Sequence, residues 1–341
     1  MQKVMLGMSG GVDSSVAAAV LMEKGFIVKG CTLLLCEGED NNTLDAKNVC
    51  NKLGIEHNFF DLRKEFKEKV ICDFTNKYIR GLTPNPCIEC NRNIKFGKML
   101  EIASVNGCEK IATGHYARIE EQNGRFLLKK AKDETKDQSY VLYMLNQEQL
   151  SKILLPLGEF TKAEIRKKAE ELNLINANRP DSQDICFVPD GDYASFIENN
   201  FDYISKKGKY VDINGKVLGE HNGVIRYTLG QRKGLGIALG KPQFVIDKNA
   251  LTNEVVLGDE EHLFKTRVEV KNVNFIPFDT LEEPMRVEAK LRYRHKAALA
   301  VISQEDDKVI IEFDEPQRAA SPGQAAVFYN GDTVIGGGTI I

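Results

Sequence analysis

The sequence lacks the features that mark membrane and exported proteins. No apolar stretch approaches the roughly 20 residues that a membrane-spanning helix needs. The N-terminal run Met1–Gly7 is shorter than the apolar core of a secretory signal, and there is no Arg- and Ser-rich leader of the kind that targets organelles. We therefore expect a cytoplasmic protein without a membrane partner.

An excess of positive charge is also missing. The 341 residues carry 46 Lys and Arg against 49 Asp and Glu, which gives a formal net charge of −3. A nucleic-acid partner would therefore need a local basic patch. The apolar share of 42% and the charged share of 28% are ordinary for a globular protein and do not indicate disorder. The length favours two or three domains.

The first 198 residues alternate between short apolar runs and amphipathic stretches. This order predicts a parallel sheet with right-handed crossovers. The predicted strands are Lys3–Met8, Phe26–Leu35, Ile55–Leu62 and Lys110–Thr113, with a hairpin strand at Arg125–Lys130. The predicted helices are Ser15–Lys24, Leu44–Leu53, Arg63–Arg80 and a helix that runs to Leu172 from a capping box formed by Thr161 and Glu164.

The second half of the chain has a different pattern. Glycine and short polar turns dominate residues 199–262, which we assign to a small central domain. Short strands follow from residue 263 to residue 341, as in the alternation of Val287, Ala289 and Leu291 with charged neighbours. This pattern favours a small antiparallel barrel or sandwich. We therefore expect three domains, 1–198, 199–262 and 263–341.

A glycine-rich loop, Met8–Ser15, separates the first predicted strand from the first helix. Helix N-terminal amides and the helix dipole favour an anion at this position. The lysine of the Gly-x-x-x-x-Gly-Lys-Ser/Thr phosphate loop is missing, which favours a loop that holds pyrophosphate while AMP is transferred. Asp13 suits such a loop if it orients a metal ion or caps the loop's own amides. A capped turn without a ligand is the alternative, but Ser-Gly-Gly-Val-Asp-Ser-Ser resembles the PP-loop of the ATP pyrophosphatase superfamily.

The eight cysteines of a cytosolic chain are expected to be thiols and not a disulfide scaffold. Five lie in apolar segments and are predicted to be packing residues: Cys31, Cys36, Cys50, Cys72 and Cys108. Cys87, Cys90 and Cys186 stand in polar segments near prolines, where chemistry is more common. By itself the Cys-x-x-Cys pair is compatible with dithiol redox chemistry, half of a zinc site or cluster ligation. Beside a helix N-terminus, Arg92 and Lys95, such thiols should have a lowered pKa.

Several motifs occur in order over nearly the whole chain. They are the PP-loop, Thr83–Asn91, Ala112–Arg118, Lys136–Tyr140, Asp181–Phe187, Tyr227–Gly236 and Leu291–Arg294. Together they resemble the tRNA-specific 2-thiouridylase family. The resemblance implies an α/β PP-loop parallel-sheet domain, a small central domain and a C-terminal antiparallel β-barrel. It also implies a tRNA-uridine 2-sulfurtransferase that acts on the wobble uridine of the tRNAs for Lys, Glu and Gln.

The resemblance also implies the site residues. ATP, with Mg²⁺, would be bound by Gly7, Met8, Ser9, Gly10, Gly11, Val12, Asp13 and Ser14, with Leu33 and Gly114 lining the adenine and ribose site. Asp13 would also be catalytic. The tRNA contacts would come from Asn85, Pro86, Cys87, His115, Lys136, Asp137, Gln138, Arg292, Tyr293 and Gln324. Taken alone, His115 would be a structural histidine and Arg292 part of a solvated strand edge.

The chemistry that the resemblance implies needs ATP and two thiols. Uridine O2 is a poor leaving group, so ATP would convert it to an adenylate that sulfur can displace. Cys186 would carry that sulfur as a persulfide, and Cys90 would free it by attacking the inner sulfur, which leaves a Cys90–Cys186 disulfide to be reduced. A cysteine desulfurase would supply the sulfur directly or through a relay protein.

Cys87 departs from the commoner bacterial pattern of the family, which has Asp at this position. With Cys90 and Cys186 it provides three potential ligands for a 4Fe–4S cluster, which related thiolation enzymes use. The persulfide and the cluster therefore both stay open as mechanisms. Two other interpretations of the chain are a PP-loop amidotransferase or ligase and an ATP-sensing RNA-binding module without catalysis.

Overall fold

The fold is that of a computed structural model, which describes residues 1–37, 40–174 and 185–341, apart from the side chains of residues 40–42. Within these ranges the chain forms a parallel sheet, a small mixed sheet and a closed barrel. None of the helices in these ranges combines the length and apolar character needed to cross a membrane. The domain boundaries at 198/199 and 262/263 remain a prediction.

The N-terminal strands are β1 Lys3–Gly7, β2 Ile27–Leu34, β3 Glu56–Asp61, β4 Lys110–Ala112, the hairpin of β5 Arg118–Gln122 and β6 Arg125–Lys129, and β7 Ile153–Leu154. Five of them form a parallel sheet in the order β3-β2-β1-β4-β7. Hydrophobic cores cover the sheet, one containing Val16 and Leu21 and another containing Met99 and Ile111. The predicted parallel sheet is therefore confirmed.

The helices are α1 Val12–Glu23, α2 Asp40–Leu53, α3 Arg63–Phe66, α4 Cys72–Ile79, α5 Pro86–Glu89, α6 Met99–Val105, α7 Gln147–Lys152, α8 Lys162–Glu171 and α9 Tyr193–Asn200. Two π-helical stretches, Lys67–Ile71 and Cys90–Lys98, join α3 to α4 and α5 to α6 without a break. The predicted helix Arg63–Arg80 is thus confirmed as one continuous helix that contains a π stretch. Short 3₁₀ turns occupy Ser139–Val141, Val224–Arg226 and Glu260–Leu263.

Two helix starts show how the sequence fixes these ends. The helix after the glycine-rich loop begins at Val12 and not at Ser15, because Gly11 already has the extended conformation of an N-cap. At α8 the predicted capping box is confirmed. Thr161 Oγ1 accepts a hydrogen bond from the Glu164 amide at 3.3 Å, and Glu164 Oε2 accepts one from the Thr161 amide at 2.6 Å.

The central part contains β8 Gly208–Val211, β9 Val217–His221, β10 Phe244–Asn249 and β11 Glu254–Gly258. They form a sheet in the order β10-β11-β8-β9, in which only the β8–β11 pair is parallel. Tyr210, Val245 and Val255 from this sheet pack into one core with Phe74 and Cys90 of the N-terminal part. The central sheet therefore covers one side of the helix that carries the cysteine pair.

The C-terminal strands are β12 Phe264–Phe275, β13 Met285–Lys290, β14 Ala298–Glu305, β15 Lys308–Arg318, β16 Ala325–Asn330 and β17 Thr333–Ile340. They pair antiparallel in the order β12-β15-β14-β13-β16-β17, and pairing of β12 with β17 closes a six-stranded barrel. The β5–β6 hairpin adds to this sheet through Lys129 and Thr333. The structure is therefore a barrel and not a sandwich.

Candidate functional site

The glycine-rich loop lies at the carboxyl edge of the parallel sheet. Gly7 ends β1, Leu33 lies near the end of β2, and Gly114 follows β4. Because β2, β1 and β4 are parallel neighbours, these residues meet at one edge. The strand order changes direction between β1 and β4, and ligands of open α/β sheets bind at such switch points. The structure thus brings the predicted nucleotide-binding residues together at this edge.

The loop has a defined conformation. Gly10 has a φ of +75°, in the left-handed region that favours glycine. Ser14 Oγ donates to the Gly11 carbonyl at 3.1 Å and accepts from the Ser9 amide at 3.3 Å. A Cβ atom on Gly114 would stand only 3.1 Å from the Ser14 amide nitrogen. A side chain at position 114 would therefore press on the start of α1.

Asp13, in the first turn of α1, is bound by two other side chains. Lys162 Nζ donates to both carboxylate oxygens, at 2.8 and 2.9 Å, and the Tyr116 hydroxyl donates to Oδ1 at 2.6 Å. Lys162 is buried, with an exposed fraction of 8%. Gln138 holds Tyr116 by both main-chain groups, accepting at Oε1 from the Tyr116 amide at 2.9 Å and donating its own amide to the Tyr116 carbonyl at 2.8 Å. The geometry favours Asp13 as an anchor between segments over Asp13 as a metal ligand.

The cysteine pair lies at the start of a helix, as predicted. Asn85 is the N-cap of α5, and its Oδ1 accepts from the Cys87 amide at 3.1 Å. Pro86 occupies the first helical turn, where its missing N–H is no loss. The Cys87 side chain reaches solvent, whereas Cys90 is buried. The π stretch Cys90–Lys98 follows directly, and such stretches are frequent at functional sites.

The predicted lowering of the thiol pKa is wrong in this structure. Burial raises the pKa of Cys90 to about 12, and the positive charge of Lys95 only partly opposes this effect. The protein around Cys87 also raises the pKa of Cys87, although its side chain reaches solvent. Desolvation disfavours the charged thiolate and here outweighs the lysine.

Cys186 is exposed. A negative charge on its thiolate raises the pKa of both Cys87 and Cys90, so the three thiols lie near one another. Residues 181–184 of the motif that contains Cys186 lie outside the described residues. All eight cysteines are described, and each is outside a disulfide. Of the five predicted packing residues, Cys31, Cys50 and Cys108 are buried, and Cys36 and Cys72 are half-buried.

The three thiols do not form a preformed metal site. Among the described residues, no three His, Cys, Asp or Glu side chains are grouped so that they could hold a metal ion. The described arrangement therefore does not fit a 4Fe–4S cluster on Cys87, Cys90 and Cys186. For Mg²⁺, the glycine-rich loop itself contains one carboxylate, that of Asp13, and Lys162 and Tyr116 already bind it.

Three of the predicted tRNA-contacting residues, Pro86, His115 and Asp137, are buried, and the last two are held by contacts within the protein. His115 shares a hydrogen bond of 2.7 Å between its Nδ1 and Thr113 Oγ1, and its ring lies 5.6 Å from that of Phe96. Asp137 accepts hydrogen bonds from the amides of Ala131 and Ser139 at 3.0 and 3.2 Å. These contacts support structural roles for both side chains. The neighbouring Lys136 is half-buried.

Three other predicted tRNA residues lie where the barrel meets the rest of the molecule. Arg292 Nη2 donates to the main-chain carbonyl of Leu229 in the central part at 3.2 Å. The Tyr293 hydroxyl donates to the Asp137 carbonyl at 3.1 Å. Gln324 Nε2 donates to the Thr83 carbonyl at 2.7 Å, just before the cysteine helix. All three side chains therefore connect the barrel to other parts of the chain.

Sequence reasoning did not find Lys162, Tyr116 or Thr83. The capping box at Thr161 predicted where α8 begins, but no local pattern shows that its first residue faces Asp13. Tyr116 lies inside the motif Ala112–Arg118, but the family resemblance implied no role for it. Thr83 opens the cysteine motif and contributes only main-chain groups. These three positions depend on tertiary packing.

Three family models match consecutive parts of the chain. They are described as a tRNA methyl transferase HUP domain over residues 2–190, a tRNA methyl transferase PRC-barrel domain over residues 195–259 and an aminomethyltransferase beta-barrel domain over residues 265–340. A relative from Acetivibrio thermocellus, described as tRNA-specific 2-thiouridylase MnmA, is 52% identical, with 99% of each chain covered. The chain belongs to the tRNA-specific 2-thiouridylase family. A second such relative, from Clostridioides difficile, is 49% identical over 99% of this chain and 98% of its own.

Membership of the 2-thiouridylase family confirms the resemblance that the motifs indicated. Among solved structures, a 4-thiouridine synthetase–RNA complex with bound ATP covers 55% of this chain and 45% of that chain at 19% identity. The TM-score of that comparison is 0.38. In this member of the 2-thiouridylase family, the candidate site has two parts, the glycine-rich loop and the three thiols.

Proposed function

We propose that this chain is a tRNA-uridine 2-sulfurtransferase that replaces O2 of a uridine by sulfur in an ATP-dependent reaction. The observation that carries the proposal is the contact between the two halves of the site. Phe96, on the helix that carries Cys90, packs against the ring of His115, which follows Gly114 at the glycine-rich edge. One reaction could therefore use the nucleotide loop and the thiols together.

In the first step, uridine O2 attacks the α-phosphorus of ATP and pyrophosphate leaves. The N-terminus of α1, preceded by Gly10 and Gly11, offers amides and a favourable dipole to the phosphates. We propose that Gly7 to Ser14, with Leu33 and Gly114, bind ATP. Mg²⁺ is proposed to arrive with the nucleotide, since protein-bound Mg²⁺ is commonly held largely by phosphates and water.

In the second step, the terminal sulfur of a persulfide on Cys186 attacks C2, and AMP leaves with the former O2. The Cys90 thiolate then attacks the Cys186 sulfur, and the electron pair of the broken S–S bond stays on the sulfur bound to C2. The product is 2-thiouridine together with a Cys90–Cys186 disulfide, which an external thiol reduces before the next turnover. A cysteine desulfurase or a relay protein is the proposed sulfur donor.

The substrate is proposed to be the wobble uridine of the tRNAs for Lys, Glu and Gln, as the family resemblance implies. Cys87 is the exposed thiol beside Asn85 and Pro86, and these three residues are proposed to lie against the target base. The remaining proposed tRNA residues are His115, which follows β4, the segment Lys136–Gln138, and Arg292, Tyr293 and Gln324 in the barrel part. Their family-derived roles require a test in which tRNA binding is measured separately from thiolation.

The central experiment measures anaerobic thiolation of tRNA with and without ATP, using wild type and the variants Cys87→Ser, Cys90→Ser and Cys186→Ser. Cys72→Ser is the matched control, because Cys72 is half-buried and lies on a different helix. We expect 2-thiouridine, AMP and pyrophosphate from wild type and the control, and no 2-thiouridine from the Cys90 and Cys186 variants. ATP-dependent product from both of those variants would contradict the persulfide scheme.

Further measurements separate the alternatives. An amidotransferase or ligase would keep its product when Cys90 and Cys186 are changed, and an RNA-binding module would release no AMP with tRNA present. Because two family models carry methyl transferase names, S-adenosylmethionine replaces ATP in one arm, and we expect no methylated base there. Iron and sulfide analysis after anaerobic purification tests the 4Fe–4S alternative. A colourless, active protein would contradict it.

A further inference from the structure

The barrel turn Ser321–Gln324 forms hydrogen bonds with the segment that precedes the cysteine helix. The amide of Thr83 donates to the Pro322 carbonyl at 2.9 Å, and the carbonyl of Thr83 accepts from Gln324 Nε2 at 2.7 Å. Both main-chain groups of Thr83 are therefore bound by the barrel. Thr83 precedes the N-cap Asn85 and the exposed thiol of Cys87 by only a few residues.

The same segment is packed closely on two sides. Gly323 has a φ of +90°, and a Cβ atom there would stand 2.9 Å from Leu82 Cβ and 3.0 Å from the Thr83 amide nitrogen. On the other side, a Cβ atom on Gly81 would stand 3.4 Å from Ala250 Cβ of the central part. Residues 81–83 are therefore enclosed between the central part and the barrel.

The barrel turn Ser321–Gln324 is itself held in place. Arg292 Nη2 donates to Ser321 Oγ at 2.5 Å and to the Ala319 carbonyl at 3.1 Å. Ser321 is fully buried, and the Gly323 amide donates to the Ile340 carbonyl of β17 at 2.9 Å. A turn fixed in this way can hold Thr83 in one position.

We propose that Gln324 is a positioning residue of the sulfur-transfer reaction, which acts through Thr83 to set where Cys87 and Cys90 stand. The proposal rests on the proposed function. The family resemblance gives Gln324 to tRNA, but its amide donor here is used on Thr83. The two roles predict different results. If Gln324 positions Thr83, its loss slows the reaction of bound tRNA, whereas if Gln324 contacts tRNA, its loss weakens tRNA binding.

The test compares Gln324→Leu, which removes the donor at similar size, with Gln317→Leu. Gln317 is the matched control because it lies on the same barrel and its Nε2 donates to the nearby Glu315 carbonyl at 2.8 Å. The measurements are the affinity for unmodified tRNA and the single-turnover thiolation rate at saturating tRNA and ATP. We expect Gln324→Leu to lower that rate by about tenfold to a hundredfold, because small misplacements of reacting groups have effects of this size. Its tRNA affinity should be unchanged, and Gln317→Leu should match wild type.

A second variant, Gly323→Ala, disturbs the contact between the barrel turn and Thr83 but keeps the Gln324 side chain. It should also lower the single-turnover thiolation rate at saturating tRNA and ATP. The rate of alkylation of Cys87 by iodoacetamide, without tRNA or ATP, should change in both variants and not in Gln317→Leu. Weaker tRNA binding with a wild-type saturated rate would overturn the proposal, as would wild-type alkylation in both variants. Failure of the proposed function gives a different result, because wild type itself would then form no 2-thiouridine. The alkylation comparison would still show whether Gln324 positions Cys87 through Thr83.

Discussion

Lys162 Nζ lies 2.8 and 2.9 Å from the two carboxylate oxygens of Asp13, a pair that joins residues 149 positions apart in the chain. The glycine-rich loop has no lysine of its own, and an aspartate in its first helical turn would repel phosphate. Lys162 compensates that negative charge from the start of α8. The fold therefore neutralises the loop's aspartate with a lysine from another segment.

Lys162→Met should raise the KM for ATP and lower the free energy of unfolding. The substitution leaves Asp13 without its cation, and breaking a buried pair typically costs several kcal/mol. The Asp13 side chain is 30% exposed and keeps some hydration, so we expect about 1–3 kcal/mol. AMP release against ATP concentration and urea unfolding measure the two effects. Lys162→Arg should retain part of both.

The control for this prediction is Lys167→Met, because Lys167 lies on the same helix and forms an exposed pair with Glu171 at 3.8 Å. It should behave as wild type. In the double variant Asp13→Asn with Lys162→Met, the two losses should not add, since each substitution removes the same pair. Additive losses in ATP use and stability would contradict a shared role.

His115 should make the protein less stable as the pH falls. Burial, assisted by the charge of Lys95, holds the pKa of His115 well below its usual value near 6.5. Below about pH 6.5 the unfolded chain binds a proton at this histidine that the folded chain does not, so the free energy of unfolding decreases. His115→Gln should flatten this dependence in urea unfolding between about pH 5 and 7. The exposed His262→Gln is the control, and an equal change in both variants would contradict the prediction.

The sheet and its functional edge could be predicted from the sequence because the information is local. Apolar runs such as Phe26–Leu35 end at turn residues, and the alternation with helices fixes parallel order. Once β2, β1 and β4 are neighbours, Leu33, the loop and Gly114 must share an edge. The partner of Asp13 could not be predicted, because Lys162 resembles any other lysine at a helix start until tertiary packing buries it.

The cysteine segment shows the limit of local reasoning more directly. The sequence predicted the helix start and the nearby Lys95, and the structure confirms the helix start. The pKa prediction nevertheless failed, because Cys90 packs into a core with Phe187 and Val188 and with residues of the central sheet. Neither that core nor the π stretch Cys90–Lys98 has a signal in the sequence around Cys90.

Lys95→Met should slow the alkylation of both Cys87 and Cys90. Lys95 is half-buried in the π stretch, and its charge lowers the pKa of each thiol against the larger effect of desolvation. Removing the charge should raise both values and reduce the thiolate fraction. Alkylation by iodoacetamide, followed by mass spectrometry at fixed pH, measures this. Lys98→Met is the control, because Lys98 pairs with Glu101 at 2.7 Å, and equal slowing by both substitutions would contradict a specific role for Lys95.

The alkylation rate of Cys90 should rise with pH without reaching a plateau. Only the thiolate reacts, and burial raises the pKa of Cys90 to about 12, so the thiolate fraction should grow by about tenfold per pH unit up to about pH 10. N-acetylcysteine, an unburied thiol, should level off above its ordinary pKa of about 8.5. The measurement uses the Cys87→Ser variant, so that the exposed neighbouring thiol does not consume the reagent. A plateau for Cys90 near that of the free thiol would show that the buried position does not protect it in solution.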